Sequence, residues 1–155
     1  MNWKNISWFD GSGNPCTYEQ IVSSILLNKN DHEIHVGSDS QPLKDSTGFA
    51  VTVCLYKPSY GAFYFFARNK SMSMRYRNLG LRLQHESELA ISLADLIRSD
   101  VDVDSITVHA DVSPNPINKS FKYAGRIQNF IKSMGFQCLI KPDSWAAWVA
   151  DKHAK

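Results

Sequence analysis

Two adjacent strand-like segments constrain the fold of this chain more than any other feature. Residues 48–56 and 61–67 are rich in β-branched and aromatic side chains, and the turn-forming sequence Pro58-Ser59-Tyr60-Gly61 separates them. Segments of this kind, joined by so short a turn, pair as an antiparallel hairpin. The chain must therefore build a sheet around a hairpin, and its other elements have to pack on that sheet.

The segments around the hairpin alternate between helical and strand patterns. Apolar spacing and capping residues predict helices over 17–28, 80–98, 118–135 and from 143 or 144 onward, and strands over 33–39, 105–110 and 136–140. A hairpin followed by β-α-β crossovers predicts an α/β fold with a mixed five-stranded sheet flanked by helices. We expect residues 1–16 to form an extension and residues 17–155 to form one domain.

Composition excludes several classes of protein. Hydrophobic residues make up 43% of the chain and charged residues 21%, which is enough apolar surface for a buried core. No apolar run approaches the roughly 20 residues that span a bilayer. Three widely separated cysteines argue against a disulfide scaffold, and no apolar signal core follows the first residues. We therefore expect a cytoplasmic protein with no membrane partner.

Carboxylates stand at the ends of three predicted strands. Asp39 ends the first strand, Asp111 ends the strand over 105–110, and Asp143 follows the last strand. One aspartate after a strand usually begins a turn or caps a helix. Three at the carboxyl ends of parallel strands would meet at one edge of the sheet, where sites of α/β proteins gather.

The helix over 80–98 offers a fourth carboxylate. Glu86 shares a face with Leu89, Leu93 and Ile97, whereas Glu88 lies on the opposite, polar face. Glu86 therefore points toward the sheet. Four convergent carboxylates need a cation to remain ionised together, and Mg²⁺ or Mn²⁺ suits oxygen ligands. Without convergence, Glu86 is only an acidic residue in a first helical turn, which the helix dipole favours.

A basic segment precedes this helix. No acidic residue occurs between Ser46 and His85, and five basic residues cluster there: Arg68, Lys70, Arg75, Arg77 and Arg82. Such a segment suits a phosphate backbone, although a solvated loop would have the same composition. Residues expected to contact substrate are Gln41, Lys70, Arg75, Arg77, Arg82, Asn115 and Lys141.

The carboxylates lie in short motifs: Gly37-Ser38-Asp39-Ser40-Gln41, His109-Ala110-Asp111, and Lys141-Pro142-Asp143-Ser144 with the tail Val149-Ala150-Asp151-Lys152. These motifs resemble the ribonuclease H-like superfamily, and more closely its YkuK-type family. The resemblance implies strand order 3-2-1-4-5 and a two-metal nuclease site. In that site Asp39 would bridge both ions, Glu86 and Asp111 would each hold one, and Asp143 would complete the second.

Two details refine this resemblance. Asp39-Ser40-Gln41 replaces the Asp-x-Glu of proofreading exonucleases, which argues against that branch. Asp151 is the reserve for the fourth position. It lies eight residues beyond Asp143, which at the helical rise predicts about 12 Å more distance from the strand ends.

Three functions follow as hypotheses. The first is a Mg²⁺- or Mn²⁺-dependent nuclease acting on RNA, DNA or a hybrid, which requires convergent carboxylates in a positively bordered cleft. The second is a non-catalytic nucleic-acid-binding or protein-interaction module on the same fold. The third is a small-molecule phosphohydrolase with a narrow, closed pocket.

Aromatic and histidine residues leave two further questions open. His109 shares a strand face with Asp111, so it either assists proton transfer or is a hydrogen-bonded strand histidine, and His35 has the same alternatives. Trp3, Trp8 and Phe9 are expected to pack the extension onto the domain. An exposed aromatic patch there would instead indicate a homodimer.

Overall fold

The computed structural model describes all 155 residues. They form seven strands and four α-helices, joined by turns and loops. The strands are β1 (Trp8–Asp10), β2 (Pro15–Cys16), β3 (Glu33–Pro42), β4 (Thr47–Lys57), β5 (Gly61–Ser71), β6 (Ile106–His109) and β7 (Gln137–Leu139). The helices are α1 (Tyr18–Asn28), α2 (Leu79–Asp100), α3 (Phe121–Ser133) and α4 (Trp145–Asp151), and a 3₁₀ turn (Met74–Arg77) precedes α2. Every element predicted from the sequence is present.

The strands form one mixed sheet in the order β2-β1-β5-β4-β3-β6-β7. β4 is antiparallel to β3 and β5, whereas β6 runs parallel to β3 and to β7. The five strands β5-β4-β3-β6-β7 therefore have the predicted order 3-2-1-4-5, and the predicted α/β class is confirmed.

The sheet has two strands more than predicted, because the N-terminal extension adds β1 and β2. β1 pairs antiparallel with β5, and β2 pairs with β1. Strands of three and two residues are too short to show alternation in the sequence. Trp3 and Trp8 are buried, and the indole N–H of Trp3 donates to Ser92 Oγ over 3.0 Å. These two rings therefore do not form the exposed patch that would have indicated a homodimer.

The two faces of the sheet are covered differently. One face carries the main core, in which Val36 and Val53 pack with apolar residues of α1, α2 and α3. The opposite face, which carries Gly37, Thr52 and Ala50, is covered by α4 and its tail. Since side chains alternate along a strand, Asp39 belongs to the face of α4.

Two glycines allow α4 and the tail after it to approach the strands at backbone distance. A Cβ on Gly37 would lie 2.5 Å from the carbonyl oxygen of Ala146, and a Cβ on Gly48 would overlap the carbonyl of Ala154. Gly37 lies midway along β3, whereas Gly48 pairs with Gln41 near the end of that strand. The helix therefore runs along β3 toward its carboxyl end.

None of the four helices combines the length and the hydropathy that crossing a membrane requires.

Candidate active-site cleft

The parallel pairing of β3 and β6 brings two carboxylates to one edge of the sheet. Gly37 pairs with His109, so Asp39 and Asp111, each two residues further along, lie at the same level. Asp39 is 9% exposed, and both residues line a cleft of about 410 Å³. The placement follows from register, because the carboxyl ends of neighbouring parallel strands coincide.

Glu86 reaches the same cleft from α2. Its side chain is 5% exposed, whereas Glu88 is exposed to solvent, as the helical spacing predicts. The hydroxyl of Ser40 donates a hydrogen bond to Oε1 of Glu86. The last residues of β3 are thus tied directly to the buried carboxylate of α2.

The structure brings Asp151, not Asp143, to the cleft. Asp151 lines the cleft, whereas Asp143 is exposed and lies outside the lining. The sequence argument assumed that α4 leads away from the strand ends. After β7 the chain instead turns back, so that Ala146 lies over Gly37 in the middle of the sheet and α4 returns toward the edge. Eight residues of helix therefore carry Asp151 toward Asp39.

Burial and mutual repulsion disfavour the ionised form of the two most enclosed carboxylates. Burial raises the pKa of Asp39 to about 7, and the charges of Asp111 and Asp151 add to this effect. Burial, and next the charge of Asp39, raise the pKa of Glu86 well above its ordinary value. A cation in the cleft would favour ionisation of both groups.

Three basic side chains share the cleft with the four carboxylates: Arg82, Lys119 and Lys141. Lys141 Nζ lies 3.1 Å from Oδ1 of Asp111. Arg82 donates to the carbonyl oxygen of Tyr76 over 3.3 Å and acts against the raised pKa of Glu86. Negative charge in the cleft is therefore only partly balanced by the protein itself.

The donor atoms of the cleft have the chemistry that a hard divalent cation requires. Four carboxylates supply oxygen ligands, and Oε1 of Gln41 is buried with no hydrogen-bond partner. The side chains are nevertheless not gathered into a group of three or more at metal-holding distance. Lys141 engages Asp111 and Ser40 engages Glu86 instead. The donor set fits Mg²⁺ or Mn²⁺ by type and charge. To bind such an ion, Asp111 and Glu86 would have to exchange Lys141 and Ser40 for the metal.

The predicted substrate contacts divide into two groups. Gln41, Arg82 and Lys141 line the cleft. Lys70, Arg75, Arg77 and Asn115 do not.

The residues outside the cleft have other surroundings. Arg77 donates to the carbonyl oxygens of Leu43 and Lys44, both over 2.6 Å, and so fixes the β3–β4 loop. The side chain of Asn115 accepts from the amide of Ile117. Lys70 lines a neighbouring hollow of about 360 Å³, formed with Arg68 and the tail after α4.

Sequence reasoning missed Lys119 and misread the start of α3. Lys119 lies in the loop after β6, which also brings Asn118 to the cleft. The helix predicted over 118–135 begins at Phe121 instead, and the side-chain amide of Asn118 donates to Ser113 Oγ over 2.8 Å. The sequence signal that could have identified Lys119 is the position of this loop directly after Asp111.

The sequence matches one family of known proteins. A model of the family described as ribonuclease H-like matches residues 17–155, which is the whole chain beyond β1 and β2. Among solved structures, the crystal structure of RNase H1 from the halophilic archaeon Halobacterium salinarum NRC-1 is similar at 13% identity and a TM-score of 0.39, covering 77% of this chain and 92% of that one. No curated protein sequence matches the chain.

Proposed function

The chain belongs to the ribonuclease H-like family, and we propose that it is a Mg²⁺- or Mn²⁺-dependent nuclease that hydrolyses phosphodiester bonds of nucleic acid. The observation that carries the proposal is the arrangement of Asp39, Glu86, Asp111 and Asp151 around one cleft. The quoted motifs around Asp39 and Asp111 support a finer placement in the YkuK-type family.

The proposed ligands come from four elements of the fold. β3 provides Asp39, α2 provides Glu86, the segment after β6 provides Asp111, and α4 provides Asp151. Two divalent ions held there would supply an activated water and neutralise the leaving oxygen. The raised pKa values of Asp39 and Glu86 support this role, since carboxylates that repel one another hold a cation strongly.

The chain's own basic residues would hold the substrate. Arg82, Lys119 and Lys141 border the carboxylates and suit the phosphate oxygens of a nucleic acid strand. With a cation held by Asp111, the ammonium group of Lys141 would face a like charge. Lys141 would then be available to bind a phosphate oxygen of the substrate. The cleft is open to solvent, which favours a polymer over a small enclosed substrate.

One observation favours a second function, a nucleic-acid-binding module without catalysis. The ion pair between Lys141 and Asp111, and the contact of Ser40 with Glu86, satisfy two of the four carboxylates without any cation. A module of this kind would keep these pairs permanently and use Arg82 and Lys119 for binding.

The deciding experiment is a cleavage assay on single- and double-stranded RNA, DNA and hybrid, with Mn²⁺, Mg²⁺ or EDTA. We expect metal-dependent cleavage that Asp39→Asn and Asp111→Asn abolish. Cleavage that survives both substitutions would assign the activity to a contaminant. No cleavage, with gel shifts retained, would favour the binding module.

Two matched pairs of variants test the ligand assignment. Glu86→Gln should remove activity, whereas Glu88→Gln, on the solvent face of the same helix, should leave it unchanged. Asp151→Asn should lower Mn²⁺ affinity measured by calorimetry, whereas Asp143→Asn should not. The opposite result for the second pair would return the fourth position to Asp143.

A further inference from the structure

A chain of hydrogen bonds links the first turn of α4 to two strands. The amide N–H of Ala146 donates to Nδ1 of His109 over 3.1 Å. Nε2 of His109 lies 2.8 Å from Nδ1 of His35, and Nε2 of His35 lies 2.8 Å from Oε2 of Glu33. Both imidazoles are buried, at 2% exposed for His109 and 5% for His35.

The amide at one end fixes the direction of every bond in this chain. An N–H can only donate, so Nδ1 of His109 carries no proton and its Nε2 does. Nε2 of His109 therefore donates to Nδ1 of His35, and the proton of His35 lies on Nε2, where the carboxylate of Glu33 accepts it. Each polar atom is satisfied with both imidazoles neutral.

The helix that donates this bond has no side-chain cap of its own. Ser144 precedes α4 and makes no side-chain capping hydrogen bond. The first amides of a helix need partners from elsewhere, and the imidazole of His109 supplies one for Ala146. The carbonyl oxygen of Ala146 is also bound, since it accepts a hydrogen bond from Thr52 Oγ1 over 3.0 Å.

The ring of Trp145 closes over this junction. Its centroid lies 5.1 Å from that of His109 and 4.8 Å from that of His35. Burial under an indole removes water that would otherwise compete for the amide of Ala146. The junction therefore joins β3, β6 and α4, the elements that place Asp39, Asp111 and Asp151.

We propose that His109 is a positioning residue: its neutral imidazole, aligned by His35, caps α4 and thereby fixes Asp151 at the cleft. The inference rests on the proposed function in so far as Asp151 is a metal ligand. The alternative is that packing of Ala146 on Gly37 alone sets the helix, with His109 serving only to fill space.

Two substitutions at one position separate these alternatives. In His109→Asn the side-chain oxygen stands near the place of Nδ1, so the cap on Ala146 is kept and the bond to His35 is lost. In His109→Gln the side-chain amide reaches the place of Nε2, so the bond to His35 is kept and the cap is lost. Glu33→Gln is the control, since it keeps an acceptor for His35 at an exposed position.

Two measurements are made on each variant. Amide hydrogen exchange of α4 in the metal-free protein reports the cap, and calorimetric titration with Mn²⁺ reports the integrity of the proposed metal site to which Asp151 belongs. We expect His109→Gln to exchange about tenfold faster in the first turn of α4 and to bind Mn²⁺ at least about tenfold more weakly. His109→Asn and Glu33→Gln should stay within about threefold of the wild type in exchange, since each keeps the cap.

These experiments distinguish failure of the proposed cap from failure of the proposed metal-dependent function. Equal exchange in the Asn and Gln variants would overturn the proposal. If the wild type binds no Mn²⁺, the ligand role of Asp151 fails, while the exchange comparison still decides whether His109 caps α4. If both variants unfold, imidazole ¹⁵N shifts of the wild type decide: a bare Nδ1 on His109 supports the cap, and a protonated Nδ1 overturns it.

Discussion

Replacing Gly37 by alanine tests whether α4 is seated on β3 at backbone distance. The new Cβ would lie 2.5 Å from the carbonyl oxygen of Ala146, and it would also meet the carbonyl carbon of that residue and the amide nitrogen of Ala147. Nonbonded carbon contacts are favourable at about 3.5–4.0 Å, so α4 must move by on the order of 1 Å. No flexible side chain can absorb the shift, because all three atoms are backbone.

The size of the effect follows from this geometry. Overpacking of a core costs roughly 1–3 kcal/mol, and backbone contacts place Gly37→Ala at about 3 kcal/mol. For a domain of this size each kcal/mol lowers Tm by about 2–4 °C, so a loss of about 6–12 °C is expected. Calorimetry or circular dichroism would measure it, and Mn²⁺ affinity should fall with it because Asp151 moves with α4.

Gly125 provides the matched control. It lies in α3, and a Cβ there meets no atom within 4 Å. Gly125→Ala should therefore stabilise the protein by about 0.4–1 kcal/mol, through helix propensity and a less flexible unfolded chain. A Tm for Gly37→Ala within about 2 °C of the wild type would refute the backbone-contact argument, since that shift corresponds to at most about 1 kcal/mol.

Three further predictions concern pH, labelling and the extension. Because the pKa of Asp39 is raised on folding, the metal-free protein should lose stability as pH rises from about 4 through about 7. At about pH 8 in EDTA, urea unfolding should find Asp39→Asn more stable by on the order of 2 kcal/mol, and a variant no more stable than the wild type would contradict this. Cys54 is fully buried with its thiol pKa raised to about 12, so mass spectrometry should find it alkylated only in denaturant, and labelling of the native protein would disprove its burial. Trp3→Phe removes the bond to Ser92 and should lower the free energy of unfolding by about 1 kcal/mol, whereas an unchanged urea midpoint would show that the bond adds nothing.

The parts of the fold that were predictable depend on local pattern. The hairpin, β3 and α2 show period-two or helical spacing, and Asp39, Glu86 and Asp111 follow from where these elements end or which face they bury. All three carboxylates line the cleft, because the register of β3 and β6 aligns Asp39 with Asp111 and the buried face of α2 carries Glu86.

The remaining features depend on tertiary contacts that no short window of sequence records. The direction of α4 depends on the contacts of Ala146 with Gly37, Thr52 and His109, and these contacts bring Asp151 rather than Asp143 to the cleft. The added strand β1 pairs with the open edge of β5, and β2 pairs in turn with β1. Lys119 reaches the cleft through the path of a loop, which has no periodic signal.

The packing of α4 on the sheet also has a consequence for how the protein folds. The contact between Thr52 and Ala146 joins residues 94 positions apart, so the chain must close a long loop to form it. The main core on the other face of the sheet contains no residue of α4, so it can form before α4 docks. Until α4 docks, the proposed metal site lacks its fourth carboxylate. A nuclease built in this way would be inactive as a partly folded chain and would acquire its hydrolytic capacity only once α4 has docked.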